Sequence, residues 1–244
     1  MTTDLALRLS GLFAGLFIVG NLLCLPLYKW QLNRFFTSQL WTKVVWWLPI
    51  YAVFLLLCFG GTVAAVLVTS GIITQSIREY RAQCIHPVIA RLYLGFFMTA
   101  TSAITLIWVI NEPVHVIPLL ISICFCSVLS DVCAFFLGTY ASWHKLPSWI
   151  NSGKSWEGVA GQIIGAPVGS LLVWLATGIT LDWRLVVAIG LASAAGDLFN
   201  SAAKRQVGVK DWGATIPGHG GILDRMSSMS TSFLVITIVT LLAH

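Results

Sequence analysis

Six stretches of the chain, residues 5–25, 92–110, 116–137, 159–177, 185–203 and 230–243, are almost unbroken runs of apolar side chains. A helix needs about 20 such residues to cross the hydrocarbon core of a bilayer. A spanning segment has no water to satisfy its peptide groups, and continuous rather than alternating hydrophobicity selects helices over barrel strands. Hydrophobic residues make up 57% of the sequence and charged residues 9%, with mean hydropathy +0.87, which excludes a soluble domain. The predicted fold class is all-α, a polytopic helical membrane protein.

A further stretch, 41–80, is ambiguous. Only Gly60-Gly61 interrupts it, so it is either one long helix with polar ends or two helices joined by a tight turn. Charge placement decides between them. A turn at the glycine pair gives about eight transmembrane helices, and of the 14 basic residues only Arg8 and Arg184 then fall on the sparsely charged side. A single crossing would move Lys29, Arg34 and Lys43 away from the other basic residues, a poorer fit to the positive-inside rule. The expectation is a bacterial inner (cytoplasmic) membrane protein with both termini outside and its basic rim facing the cytoplasm and anionic headgroups.

The net charge of +5 does not point to nucleic acid as a partner, because there is no soluble basic domain to carry such binding. The six cysteines contain no C-x-x-C pair and fall mostly inside spans, where thiols behave as small apolar groups. The first apolar run lacks a small-residue cleavage signal after it and is expected to persist as a helix.

Polar residues divide the chain unevenly. Residues 1–110 are expected to form N-terminal transmembrane scaffold helices, with Asp4 and Glu79, and Glu112 just beyond them, near span ends and Trp30, Trp41, Trp46 and Trp47 in an interfacial belt. Residues 111–244 form the expected catalytic transmembrane region, and its chemistry is concentrated at Ser130-Asp131, 151–158 and 196–225. Asp197, Ser201 and Lys204 recur at i, i+4 and i+7, so they share one helix face. Asp131, a few residues from the inner end of its span, is expected at a similar depth. Neighbouring carboxylates in that setting repel, and Mg²⁺, which takes one or two carboxylates plus water and phosphate oxygens, relieves the repulsion.

Around these acids stand groups suited to phosphate. In N-S-G-K-S-W-E-G (151–158), small residues let peptide N–H groups approach an anion while Lys154 supplies a charge. Lys204, Arg205 and Lys210 at the interface can clamp phosphates. P-G-H-G-G (217–221) builds a tight, open backbone, with His219 as a donor to phosphate or base. His86, His115, His144 and His244 lack supporting neighbours.

Written with its spacing, S-x-x-K-R-x-x-x-x-K-D-x-G-x-x-x-P-G-H-G-G-x-x-D-R from Ser201 to Arg225 resembles the signature of the phosphatidate cytidylyltransferase family, the CDP-diacylglycerol synthases. The resemblance implies transfer of a cytidylyl group from CTP to phosphatidate, with membrane lipid around the site and a homodimer as the assembly. It implies Asp197 and Asp224 as ligands of Mg²⁺, with room for a second cation. Asp131, Lys204, Arg205, Lys210, Asp211 and His219 are the implied catalytic residues. Lys154, Ser155, Glu157, Ser201, Gly220, Gly221 and Arg225 are the implied substrate contacts. The match departs from the family at Asn151 for Ser, Ser152 for Pro, Ser155 for Thr, and Ser227 for the final acid of D-R-x-D. Those departures keep two alternatives open: a divergent paralogue acting on another lipid phosphate or alcohol, and a non-catalytic lipid- or partner-binding membrane protein.

Overall fold

The computed structural model describes residues 2–24, 32–151 and 153–243; Lys29, Trp30, Ser152 and His244 lie outside the described residues. Its helices are α1 (Thr2–Cys24), α2 (Leu32–Phe36), α3 (Gln39–Phe59), α4 (Gly61–Arg81), α5 (Val88–Ile110), α6 (Pro113–Tyr140), α7 (Trp156–Thr177), α8 (Trp183–Val207), α9 (Ile222–Arg225) and α10 (Ser227–Ala243). Apart from the short α2 and α9, they match the predicted spans one for one. Among the described residues the only β pairing is two isolated bridges, Lys145 with Ser155 and Ile216 with Gly220. Among the described residues five helices are long and apolar enough to cross a membrane, and two shorter apolar ones lie at Val44–Phe59 and Ser227–Leu242. α4 differs because Gln75, Arg78, Glu79 and Arg81 crowd its C-terminal end.

The ambiguous stretch is two helices. Gly60 N–H closes α3 by bonding Leu56 O (2.8 Å), and Gly61 turns the chain with φ +70°, a left-handed conformation that favours glycine.

Lipid provides no hydrophobic drive between apolar helices, so close packing needs small residues at the contact. α7 supplies them. Gly161, Gly165 and Gly169 lie against the backbone of α6, where an added Cβ would stand 2.8 Å from Cys133 O, 2.5 Å from Ser130 Cα and 2.7 Å from Cys126 Cα. Position numbers rise along α7 as they fall along α6, so the two are antiparallel. α8 returns against α7, with Gly190 on Ile163, and α10 returns against α8, with Ser232 Oγ donating to Ile189 O (3.4 Å). The C-terminal ends of α4, α6 and α8 and the N-terminal ends of α5, α7 and α10 consequently meet at one end of the bundle. Arg78, Arg81, Arg91, Lys145, Lys154, Lys204, Arg205, Lys210 and Arg225 belong to that end, while Arg184 begins α8 at the other.

Candidate active site

Two loops complete the polar end. The first, 141–155, folds back on itself: Leu146 N donates to Lys154 O and Trp156 N to His144 O, both at 2.9 Å. Ser155 caps α7, its Oγ accepting from Gly158 N (3.2 Å), and satisfies one of the donors a helix start leaves open. Glu157 staples the loop by accepting from His144 N (3.1 Å) and pairing with His144 Nδ1 (2.6 Å). Ser155 and Glu157, expected as substrate contacts, thus shape the loop that presents Lys154. His144, expected to lack a supporting neighbour, has one in Glu157, because the turn at 147–150 brings residues 144 and 157 together.

Lys154 Nζ forms an ion pair with Asp197 of α8, both side chains about three-tenths exposed. About two turns further along α8, Lys204 Nζ reaches Asp224 Oδ1 (2.7 Å), with the Asp224 side chain only 2% exposed. The shared face of Asp197, Ser201 and Lys204 therefore serves two different loops, and Ser201 between the two charges is buried. Asp131 Oδ1 accepts from Gln162 Nε2 (2.9 Å) and Ser228 Oγ (3.0 Å), and the residue interacts electrostatically with Asp197 and Lys154. The expected proximity of Asp131 and Asp197 is present.

The second loop, 208–221, carries the P-G-H-G-G run. Gly218 and Gly220 take φ of +76° and +91°, and His219 N donates to Ile216 O (2.9 Å). Arg225 Nε bonds the His219 carbonyl. The other Asp224 oxygen, Oδ2, accepts from Trp212 N (2.8 Å) and Gly221 N (3.0 Å). A Cβ on Gly220 would stand 3.2 Å from Asp224 Oδ2 and 3.3 Å from Asp211 Oδ1, so the two carboxylates flank the same glycine. Arg205 bridges the loops by donating through Nη2 to Asn151 Oδ1 (3.2 Å) and through Nη1 to Val209 O (3.4 Å). Asn151, one of the departures from the family pattern, is thereby an acceptor for a family arginine. Lys210 and Asp211 are exposed at the rim.

Asp197 and Asp224, the expected metal ligands, each face a lysine rather than one another. Among the described residues, no three or more His, Cys, Asp or Glu form a metal-holding group. Ser227 is buried at 3% exposure, where its Oγ accepts from Asn200 Nδ2 (3.4 Å) while Trp212 Nε1 donates to Asn200 Oδ1 (2.7 Å). A neutral amide and hydroxyl thus occupy the position where the family pattern has an acid.

Sequence reasoning missed Glu79. It lies 4% exposed at the end of α4, where it accepts from Thr215 Oγ1 (2.5 Å), Ile222 N (2.8 Å) and Leu223 N (3.0 Å). The available signal was the four-residue spacing of Gln75, Glu79 and Gln83, the first two on one face of α4 and the third just past its end.

The fold and the site together define an α-helical membrane protein whose acids, lysines and glycine turns gather at one end of the bundle. The chain belongs to the Cytidylyltransferase family, whose model matches residues 5–243. It is 35% identical over 119 residues to a phosphatidate cytidylyltransferase of Mycobacterium leprae, covering 47% of this chain and 38% of that protein. It is 35% identical over 130 residues to the enzyme of that name from Haemophilus influenzae, covering 50% and 45%, and 36% identical over 103 residues to that of Brucella suis, covering 41% and 38%. The chain thus spans less than half the length of these curated relatives.

Proposed function

We propose that the protein is a phosphatidate cytidylyltransferase, converting CTP and phosphatidate to CDP-diacylglycerol and pyrophosphate at the cytoplasmic face of a bacterial inner membrane. The observation that carries this reading is the convergence of Lys154–Asp197 and Lys204–Asp224 with the glycine turn at 217–221, in a chain of the Cytidylyltransferase family. A phosphatidate oxygen attacks the α-phosphorus of CTP, the bond from that phosphorus to the bridging oxygen breaks, and pyrophosphate leaves. Phosphate oxygens are already ionised at neutral pH, so positioning and charge neutralisation carry the step and no protein nucleophile is needed.

In this reading Lys154, Arg205 and Lys210 collect phosphate oxygens at the rim. Lys204 and Asp224 fix the turn whose open backbone accommodates the nucleotide, with His219 and Ser201 orienting it. The site fits Mg²⁺ in one respect: Asp197 and Asp224 each already face a positive charge, the ammonium of Lys154 or Lys204. Asp197 and Asp224 would hold the ion, with Asp131 close to Asp197, consistent with a cation that takes few carboxylates and keeps water and phosphate oxygens. When bound, Mg²⁺ neutralises charge on the transferring phosphates. The basic residues gathered at the site end support the cytoplasmic orientation. The family resemblance supports a homodimer, which cross-linking in native membranes would test.

Protein in mixed micelles with radiolabelled CTP, Mg²⁺ and phosphatidate is expected to move label into the lipid phase, and Asp197→Ala to abolish the transfer. Folded, lipid-binding protein that transfers no label would overturn the reading. The neutral Asn200–Ser227 pair favours a second reading, transfer to another lipid phosphate. It predicts labelling of that lipid and not of phosphatidate.

A further inference from the structure

Among the side chains that the first half of the chain contributes to the site end, three bond to the second loop from the end of α4. Gln75 and Glu79 lie one turn apart on α4, Gln83 follows just after its C-terminal end, and all three bond to the segment around the P-G-H-G-G run. Gln75 Nε2 donates to Thr215 Oγ1 (2.9 Å) and Gln83 Nε2 to Trp212 O (2.6 Å). Glu79 stands between them with its three donors, Thr215 Oγ1, Ile222 N and Leu223 N. A carboxylate buried to 4% exposure is costly unless its lone pairs are filled, and here peptide N–H groups fill them.

The loop is shaped around that carboxylate. A Cβ on Gly221 would collide with both Glu79 oxygens, and one on Gly213 would stand 3.1 Å from Glu79 Cγ. Asp224 holds the same turn through Trp212 N and Gly221 N. Two carboxylates from distant parts of the chain therefore clasp one turn. Displacing one of them moves the backbone that carries the other.

Resting on the cytidylyltransfer reading, we propose that Glu79 is a positioning residue. It sets the backbone of residues 212–224, and through it the Lys204–Asp224 pair, in the geometry that receives the nucleotide phosphates. Glu79 touches no substrate itself and acts through the amides of Ile222 and Leu223.

The test compares the intact chain in detergent micelles with Glu79→Gln, and with Glu112→Gln as an exposed acid at the start of α6. Glutamine keeps the shape but replaces one acceptor oxygen with a donor that faces the loop's own donors. Amide hydrogen exchange over 213–224 is expected to quicken about ten-fold or more, the scale of one lost charged hydrogen bond, while α6 to α8 are unchanged. The kcat for cytidylyl transfer is expected to fall about ten-fold or more while the KM for lipid stays within about two-fold. Glu112→Gln changes neither. Unaltered exchange in Glu79→Gln overturns the proposal, as does faster exchange with unaltered kcat and CTP KM. A wild type that transfers nothing would sink the cytidylyltransfer reading alone, and the exchange measurement would still decide whether Glu79 holds the loop. If Glu79→Gln does not fold, Gly221→Ala and Glu79→Asp/Gly221→Ala replace it. The added methyl collides with the carboxylate, and shortening the acid is expected to recover part of the lost protection and rate. No recovery overturns the proposal.

Discussion

The two loops at the site end are anchored by opposite means. Loop 141–155 is held at the surface: the His144 side chain of its staple is 75% exposed, and Lys154 and Asp197 are about three-tenths exposed. Loop 208–221 is held by buried carboxylates, Glu79 at 4% exposure and Asp224 with its side chain at 2%. A charge pair open to water exchanges its partner readily, whereas a buried one cannot be broken without leaving a charge uncompensated. The difference assigns two jobs. On the proposed cytidylyltransfer reading, Lys154 and Arg205 would leave their protein acceptors for an incoming phosphate, and the turn held by Glu79 and Asp224 would be the fixed surface against which that phosphate is positioned.

The sharpest way to break this comparison is Asp224→Ala. It removes the acceptor for Lys204 Nζ, Trp212 N and Gly221 N together, and leaves an ammonium buried at 13% side-chain exposure. The expected loss is about 3–5 kcal/mol of stability, seen in a thermal or denaturant melt in micelles, with transfer abolished. A melt unchanged from wild type would show that the second loop is not held as described. Lys154→Gln is the counterpart on the first loop. Its pair is partly exposed and screened, so stability is expected to change by less than about 1 kcal/mol. Transfer is nevertheless expected to fall about 100-fold, the size for losing one charged group that stabilises a transferring phosphate. A stability loss as large as that of Asp224→Ala would erase the distinction between the loops.

How far the fold and site could be read from sequence follows the same division. The spanning helices were legible because long apolar runs have few alternatives in lipid, and the break at Gly60-Gly61 because the basic residues had to share a side. α2 and α9 were not, since helices of five and four residues leave no periodicity to detect. In the site, the residue types of the 201–225 run were legible but their partners were not. Spacing placed Asp197 and Lys204 on one face, whereas the structure sends each to a different loop. Glu79 was passed over with Asp4 and Glu112 because a span-end acid has no local mark of burial. Only its tertiary neighbours separate it from the other two, and the four-residue spacing of Gln75, Glu79 and Gln83 was the one local hint. His144 was passed over because its partner lies 13 residues away across a turn.

Ser227→Asp sharpens the comparison from the buried side. The new carboxylate would lie where Asn200 Nδ2 and the Asp224 carbonyl now meet the serine hydroxyl, close to an acid whose oxygens are already engaged. Two outcomes are expected together: a loss of about 1–3 kcal/mol in the melt from burying a further polar group, and about a ten-fold lower Mg²⁺ concentration for half-maximal transfer from an added acid near the cation. A lower stability with an unchanged Mg²⁺ titration would show that position 227 does not face the ion.

The smallest effect is expected at the outermost contact. His144→Gln removes the imidazole partner of Glu157 but keeps the peptide N–H of residue 144, which also bonds that carboxylate at 3.1 Å. The bridge between residues 145 and 155 and the Ser155 cap are independent of the ring, so the loop keeps its path. Transfer is expected to change by about two-fold or less, and raising the salt concentration is expected to bring wild type and variant together, because an exposed pair is screened. Limited proteolysis across 141–155 provides the independent readout, with modestly faster cleavage in the variant at low salt. A large loss of transfer that persists at high salt would mean that the staple orders Lys154 as firmly as Glu79 and Asp224 order the other loop, and the two loops would then be one rigid unit.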